Sequence, residues 1–381
     1  MATPKLRFKE FDEDWTALKY EDILNIKYGK DHKKLNSGNI PVFGTGGVMR
    51  YVDQFLHDGE SILIGRKGTI DSPKYVNEKF WTVDTLFYTE IKEQAVPKFV
   101  YQHALQVNWL KLNEATGVPS LNTKSINNVA INLPPLKEQT KIATFLSAVD
   151  TKIDELIQKH ELLTDYKKGM MQQLFSQKLR FKADDGSDFE DWIKYNIGAI
   201  FTEIKDQVLD QDIETYSITA GKGFISQAEK FGRDISGNQN RKYIVLKPND
   251  FSYNKGNSKT FKYGCVYLNR FNHNIAVPNV FISFRTKESN KHYSIFYAQL
   301  FESHYLDKHL RLLISSSARM DGLLNISKKG FFEIPIPSPC LEEQTKIANF
   351  LTAIDQKIDN VAEQIDHAKT WKKGLLQQMF V

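Results

Sequence analysis

The sequence predicts an α/β chain of the α+β type: two mixed α/β globular modules joined by two long antiparallel coiled-coil helices with pseudo-twofold symmetry. Three observations predict it. Leu136-Lys-Glu-Gln-Thr-Lys-Ile-Ala143 returns as Leu341-Glu-Glu-Gln-Thr-Lys-Ile-Ala348, and the match runs on to Phe175 and Phe380 at a constant offset of 205 residues. Both copies carry apolar heptads, and the stretch before each copy alternates short apolar runs with glycine-rich turns. The 381 residues therefore divide into modules at 1–133 and 181–337 and helical segments at 134–180 and 338–381.

The helices follow from spacing. In the first copy Ile142, Leu146, Val149, Ile153 and Leu156 repeat at intervals of four and three, and Ile347, Leu351, Ile354, Ile358 and Val361 do so in the second. This is a coiled-coil seam. His160 and Lys167 interrupt the first seam, and Lys372 interrupts the second at the position of Lys167. Leu133-Pro-Pro135 and Pro337-Ser-Pro339 stand just before the two helices, where proline disfavours helix behind it and permits one ahead. Gly169 and Gly374 weaken the far ends, so fraying or a kink is expected there. Matching seams on one chain can satisfy one another around a pseudo-twofold axis.

In the first module Ile40-Pro-Val-Phe43, Ser61-Ile-Leu-Ile64, Phe80-Trp-Thr-Val83 and Asp84-Thr-Leu-Phe-Tyr88 predict strands, and Val96 to Leu112 predicts a helix. In the second, Tyr243 to Leu246, Phe251 to Asn254, Gly264 to Leu268 and Val280 to Phe284 predict strands, with one helix from about His292 to Leu313. Asp14-Trp15 is echoed by Asp191-Trp192, and Leu121-Asn122 by Leu324-Asn325. The frames correspond while the loops diverge.

A formal charge of +5 is too mild to assign a partner by itself, and it is spread as +1, +2, +3 and −1 over the four segments. The amino terminus carries no apolar run of a signal sequence and no later segment approaches a membrane span, so a cytoplasmic chain with no membrane is expected. Cys265 and Cys340 match no zinc or redox spacing, and no metal site is expected.

Catalytic signatures are missing. Ala220-Gly-Lys222 lacks the upstream glycine of a phosphate-gripping loop, and Gly44-Thr-Gly-Gly47 reads as a tight turn, since Met49 stands where a dinucleotide motif needs glycine. Leu133-Pro-Pro-Leu136 lacks the polar residue and aromatic of amino-methyltransferases. Asp84 with Glu90-Ile-Lys92, and the partial echo Glu203-Ile-Lys205, only faintly match a magnesium nuclease pattern and read as solvated strand ends. No catalytic residue is assigned.

Glycine-rich loops carrying cations and amides are the more informative signal. Lys27, Lys30, Lys33 and Lys34 fall within eight residues, and Arg66, Lys67 and Thr69 sit on Gly65-Arg-Lys-Gly-Thr69. Lys222, Asn238, Arg241, Asn254, Lys255 and Arg319 supply comparable groups in the second module. Asn suits adenine and Arg or Lys suits guanine or phosphate, which makes these the candidate DNA contacts.

These residues resemble one family, the specificity subunit of type I restriction-modification systems. The likeness spans essentially the whole chain; it rests on Pro134 to Ala143, Pro339 to Ala348, Gly65-Arg-Lys-Gly-Thr69, Asp84-Thr-Leu-Phe-Tyr88, and Leu6-Arg-Phe-Lys-Glu-Phe11 followed by Asp14-Trp15. The resemblance implies two target-recognition domains, each reading half of a split double-stranded DNA sequence, and helices that act as spacer. It implies no cofactor and no catalysis in this chain. It implies that S-adenosylmethionine would be carried by two methylation subunits acting on adenine, and ATP and magnesium by two restriction subunits. Two other readings stay open on the residues alone: a stand-alone DNA methyltransferase or endonuclease, and a coiled-coil protein-binding scaffold without DNA.

Overall fold

The computed structural model describes residues 4–231, 237–256, 258–314 and 324–380. Two compact units emerge, Met1–Lys159 with Val361–Val381 and His160–Asn360. The division cuts across both long helices, so each unit is built from one variable stretch plus a part of each helix.

In the first unit the order is β1 (Thr16–Lys19), α1 (Tyr20–Ile23), β2 (Leu24–Tyr28), β3 (Ile40–Gly44), β4 (Gly47–Val52), β5 (His57–Gly65), β6 (Lys74–Thr82), β7 (Leu86–Ile91), α2 (Pro97–Ala104), α3 (Thr123–Asn127), β8 (Ala130–Leu133) and α4 (Leu136–Phe175). Six strands form one sheet in the order β2-β7-β5-β6-β3-β4, antiparallel except for the β3–β6 pairing. The last five residues of β5 are all buried, as a central strand covered on both faces requires. Ser61 and Thr89 are buried polar residues on β5 and β7, and they satisfy one another: Ser61 Oγ donates to the Thr89 carbonyl and Thr89 Oγ1 accepts from the Ile62 amide. β1 and β8 pair beside this sheet and lead directly into α4.

In the second unit the order continues with β9 (Ile193–Asn196), α5 (Ile197–Ile200), β10 (Phe201–Glu203), β11 (Tyr216–Thr219), β12 (Gly223–Ser226), α6 (Gln227–Phe231), β13 (Ile244–Leu246), β14 (Phe251–Asn254), β15 (Cys265–Leu268), β16 (Ile275–Val277), β17 (Ile282–Thr286), α7 (Ser294–Glu302), α8 (Asp307–Leu313), α9 (Lys328–Phe332), β18 (Pro335–Ser338) and α10 (Leu341–Met379). Its main sheet is β10-β17-β14-β15, with the pairs β11-β12, β13-β16 and β9-β18 around it. The core is aromatic: Phe201, Phe251, Phe284, Phe296, Tyr297 and Phe331 are fully buried, and Phe251 stacks on Phe284 at 5.2 Å.

Three local expectations change. The helix expected from Val96 to Leu112 ends at Ala104, where the Trp109 indole donates to the Ala104 carbonyl and Asn108 caps a separate turn over Trp109–Leu112. The helix expected from His292 to Leu313 is two helices, broken where His304 takes a φ of 62°. Gly169 and Gly374 cause no break: α4 runs to Phe175 and α10 to Met379.

The seam residues Ile142, Leu146, Val149, Ile153, Leu156, Ile347, Leu351, Ile354 and Val361 are buried, and Ile358 is half-buried. Two of the polar interruptions are ion pairs. Lys372 Nζ lies 2.5 Å from Asp150 in the first unit, and Lys167 Nζ lies 2.6 Å from Asp355 in the second, where it also reaches Glu302 at 2.5 Å. The 205-residue offset maps Asp150 onto Asp355 and Lys167 onto Lys372. The same bond is thus made twice with the roles of the helices exchanged, and partner numbers fall along α10 as they rise along α4, which makes the pair antiparallel.

Candidate nucleic-acid interface

The repeat motif holds each unit to its helices. Glu138, fully buried, accepts from Arg7 Nε at 2.7 Å, Arg7 Nη2 at 2.8 Å and the Trp15 indole at 3.3 Å. Glu343, also fully buried, accepts from Arg180 Nε at 3.1 Å, Arg180 Nη2 at 2.9 Å and the Trp192 indole at 2.8 Å. A carboxylate is tolerated there because a guanidinium fork and an indole together satisfy it. The next residue acts on the backbone. Gln139 accepts from the Val96 amide at 2.7 Å and donates to the carbonyls of Gln94 and Pro134, and Gln344 does the same with Tyr293, Lys291 and Pro339. Val96 and Tyr293 are the residues that open α2 and α7, so the glutamine fixes an equivalent buried helix of each variable region on its spacer helix. A third contact repeats as well, since Gln102 donates to Asp150 and Gln299 to Asp355, each at 2.8 Å.

On this base the first unit raises a cationic loop. The Arg66 and Lys67 amides donate to the Thr85 carbonyl at 2.8 and 3.2 Å, the Gly68 amide to Pro119 and the Leu121 amide to the Arg66 carbonyl, both at 2.9 Å. Gly65 allows this approach, because a Cβ there would fall 2.1 Å from the Thr69 carbonyl oxygen. Arg66 further donates to the Asp84 carbonyl at 3.1 Å and lies 5.4 Å over the ring of Tyr28, which leaves a rigid, partly exposed cation.

Beside this loop lies a cleft of about 600 Å³ lined by Asp31, His32, Lys33, Gly44, Thr45, Gly46, Met49, Val83, Asp84 and Thr85. The turn from Val83 to Thr85, between β6 and β7, is shared by cleft and loop. Of the residues picked from sequence, Lys33 lines the cleft, and Arg66 and Lys67 are held by their backbone amides to Thr85 at its rim. Lys30 is exposed next to the cleft, its backbone pinned by the Thr82 carbonyl and the Trp81 indole. Lys27 is bound to Glu90 at 3.1 Å; Lys34 is exposed but does not line the cleft, and Thr69 is exposed at the loop's end. The acidic residues of the nuclease-like fragment are not gathered on a metal position, since Glu90 pairs with Lys27 and Lys92 donates to the Glu21 carbonyl.

The second unit repeats the loop construction with other side chains. The Leu324 amide donates to the Lys255 carbonyl at 2.9 Å, as Leu121 does to Arg66, which gives the Leu-Asn echo a structural meaning. Asn254 is turned toward backbone: its amide donates to Ile218 and its oxygen accepts from the Gly256 amide. Lys222 lines a separate cavity of about 530 Å³ walled by Phe224, Phe261 and Tyr267, while Arg241 pairs with Asp210 at 2.8 Å. Asn238 sits in a short 3-10 turn, Gly237–Lys242. Arg319 lies outside the described residues.

Sequence reasoning missed the buried glutamates and glutamines as docking groups and Thr45, Met49 and Thr85 as lining. The signal for the first was present, in the identity of Glu138-Gln139 with Glu343-Gln344 and in the paired Asp-Trp echoes.

Comparison with known proteins follows the same lines. The family model described as "Type I restriction modification DNA specificity domain" matches residues 12–163 and 190–369. The chain is 29% identical over 364 residues to the type I restriction enzyme MjaVIII specificity subunit of Methanocaldococcus jannaschii, covering 84% of this chain and 77% of that one. It is 22% identical over 154 residues to the EcoprrI specificity subunit of Escherichia coli, 38% of each chain. Against a Haemophilus influenzae relative of similar description the chain spans only 32% of the relative's length, at 28% identity. Among solved structures, a Mycoplasma genitalium type I restriction-modification S subunit superposes with a TM-score of 0.64 at 16% identity over 100% of this chain and 99% of that one. A chain from a structure described as showing complex assembly and conformational transition of the type I R-M system gives 0.53 at 16% identity, over 97% and 98%.

Proposed function

The chain belongs to the type I restriction-modification DNA specificity family, and on that premise we propose that it is the sequence-reading subunit of a type I restriction-modification complex. Each variable region reads one half of a bipartite duplex target. The paired helices set the distance between the halves and dock two methylation subunits, which supply S-adenosylmethionine chemistry at adenine. Two restriction subunits add ATP- and magnesium-dependent cleavage. The chain contributes recognition and no bond-making step, and it works in the cytoplasm.

One observation carries this reading. The two units share the anchoring of the variable region by Glu138-Gln139 and Glu343-Gln344 and the loop-on-backbone construction at Arg66 and Lys255, yet present different side chains from that frame. A duplicated frame under two unlike surfaces supports two readers of different words. The cleft with Lys33, and the loop of Arg66 and Lys67 anchored on Thr85 at its rim, support duplex DNA as what is read, since such cations hold phosphates while neighbouring groups meet base edges.

The test is adenine-methylation mapping in cells that express the chain with its methylation partners. Exchange of residues 16–133 for the corresponding segment of a relative should replace one half-site and leave the other and the spacer unchanged. Deletion of one heptad from both helices should alter the spacer alone. A change in both half-sites on module exchange, or altered half-sites with a constant spacer on heptad deletion, refutes the modular reading.

A further inference from the structure

The hairpin of β3 and β4 carries an irregularity beside the cationic loop. Val42 pairs with Arg50 and Phe43 pairs with Val48, so Met49 is an extra residue on β4 with no partner opposite. Such a bulge turns a side chain away from the regular pleat. Met49 is 61% exposed and joins none of the apolar clusters among the described residues. Its thioether folds back over the turn instead: a Cβ at Gly44 would lie 2.6 Å from Met49 Sδ, so the sulfur rests against the Gly44 backbone. The side chain lines the cleft shared with Lys33, Thr45, Asp84 and Thr85. Val48 and Tyr51 are exposed on the same strand, which is the free edge of the six-stranded sheet.

An exposed thioether on a free edge is a liability unless something covers it. The surroundings say what does. Lys33 shares the cleft, Arg66 and Lys67 are anchored on Thr85 at its rim, and Lys74 Nζ comes within 3.7 Å of a Cβ placed on Gly47. The cleft also holds the carboxylates of Asp31 and Asp84, but Lys33, Lys74 and the Arg66-Lys67 loop outnumber them, so the apolar tip suits a polyanion that carries an apolar group. A two-stranded ribbon enters the major groove of duplex DNA, where the apolar group on a base edge is the 5-methyl of thymine.

We propose that Met49, delivered by the β4 bulge, is a specificity-determining residue that contacts a thymine methyl in the half-site read by the first unit. The proposal rests on the DNA-reading function above and adds one base contact to it. Lys33, Arg66 and Lys67 hold phosphates on either side of this contact.

The test uses the full chain copurified with its methylation partners and the target mapped as above. Each thymidine of the first half-site is replaced in turn by deoxyuridine, which removes the methyl and leaves pairing intact. Wild-type protein should lose roughly fourfold in affinity at one position, the value of one buried methyl-sized group. Met49→Ala should bind the thymidine and deoxyuridine duplexes alike, and Met49→Leu should keep the difference. Gly44→Ala, which pushes the thioether aside without deleting it, should weaken the difference. A wild-type protein indifferent to every deoxyuridine in that half-site, a half-site without thymine, or a Met49→Ala protein that stays as sensitive as wild type would overturn the contact while leaving sequence-specific binding intact. Loss of all preference for the mapped duplex over an unrelated one would instead overturn the DNA-reading function itself.

Discussion

Removing the carboxylate of Glu138 should release the first variable region from its helix and leave the second unit undisturbed. Glu138 receives three hydrogen bonds from Arg7 and Trp15, and it is fully shielded from water. In Glu138→Ala the guanidinium and indole lose their acceptor. Breaking a buried pair in this way costs about 3–5 kcal/mol, and because the Arg7 side chain keeps 14% exposure the lower end, about 3 kcal/mol, is expected. Glu138→Gln keeps the shape and one acceptor and should cost about half as much. Glu343→Ala should do the same to the second unit, through Arg180 and Trp192. Two units make a single unfolding free energy ill defined, so the suitable readout is amide hydrogen exchange resolved by peptide. A loss of about 3 kcal/mol appears as roughly hundredfold faster exchange through sub-global opening. In Glu138→Ala this should fall on α1, α2 and the strands between them, with peptides of β10, β14 and β17 unchanged. Acceleration below threefold, or equal acceleration in both units, would refute the anchoring role.

Three further outcomes follow from the same geometry. His103 is half-buried beside Tyr20, whose hydroxyl shares a hydrogen bond of 2.9 Å with its Nδ1, and desolvation holds its pKa down at about 4. The unfolded chain takes up the proton first, so stability from this site is full above pH 6.5 and declines toward pH 4, by about 2 kcal/mol at pH 5; His103→Gln should remove that component from the opening free energies of first-unit peptides measured by hydrogen exchange at pH 7 and 5. Lys372→Met leaves Asp150 with only its Gln102 hydrogen bond and should cost about 1–2 kcal/mol, and Lys167→Met should cost somewhat more because Asp355, left with Gln299, and Glu302 both lose their cation, as read from hydrogen exchange of the α4 and α10 peptides. Arg66→Ala and Lys67→Ala should each lower the slope of log affinity against log salt by about one, measured by fluorescence anisotropy with duplex DNA; an unchanged slope in both would remove the loop from the phosphate contacts.

Periodicity made the helices legible, because seam burial is a local pattern that a sequence states in full: Ile142 to Leu156 and Ile347 to Val361 need nothing beyond their spacing. Strands were legible one at a time for the same reason. Their order was not, since the parallel β3–β6 pairing and the insertion of β5 between β7 and β6 depend on contacts between distant segments. The break at His304 was hidden because the apolar residues of α7 and α8 keep a helical rhythm across it, and only the left-handed backbone ends the first helix. At the candidate site the cations could be read, as Lys33, Arg66 and Lys67 sit in conspicuous loops. Met49 could not, because a bulge is a property of register, and register belongs to two strands at once. Asn254 shows the opposite error: an amide that looks available in sequence is occupied by its own backbone.

The distribution of buried charge explains how one frame can carry unlike surfaces. Glu138, Gln139 and Asp150 act on the amino-terminal arm, on the start of α2 and on Gln102; none of them reaches the strand edge and loops that line the cleft. Glu343, Gln344 and Asp355 are arranged in the same way around α7. Substitutions at Lys33, Met49 or Arg66 therefore leave the anchors intact, and distant sites without shared partners contribute nearly independently to stability. A loop can then change its chemistry at little cost to the fold, whereas a change in the Glu-Gln pair is felt by the whole unit. The likeness of the repeats, which keep the Glu-Gln pair and the Asp150 and Asp355 anchors, and the divergence of the variable segments are two consequences of this single separation.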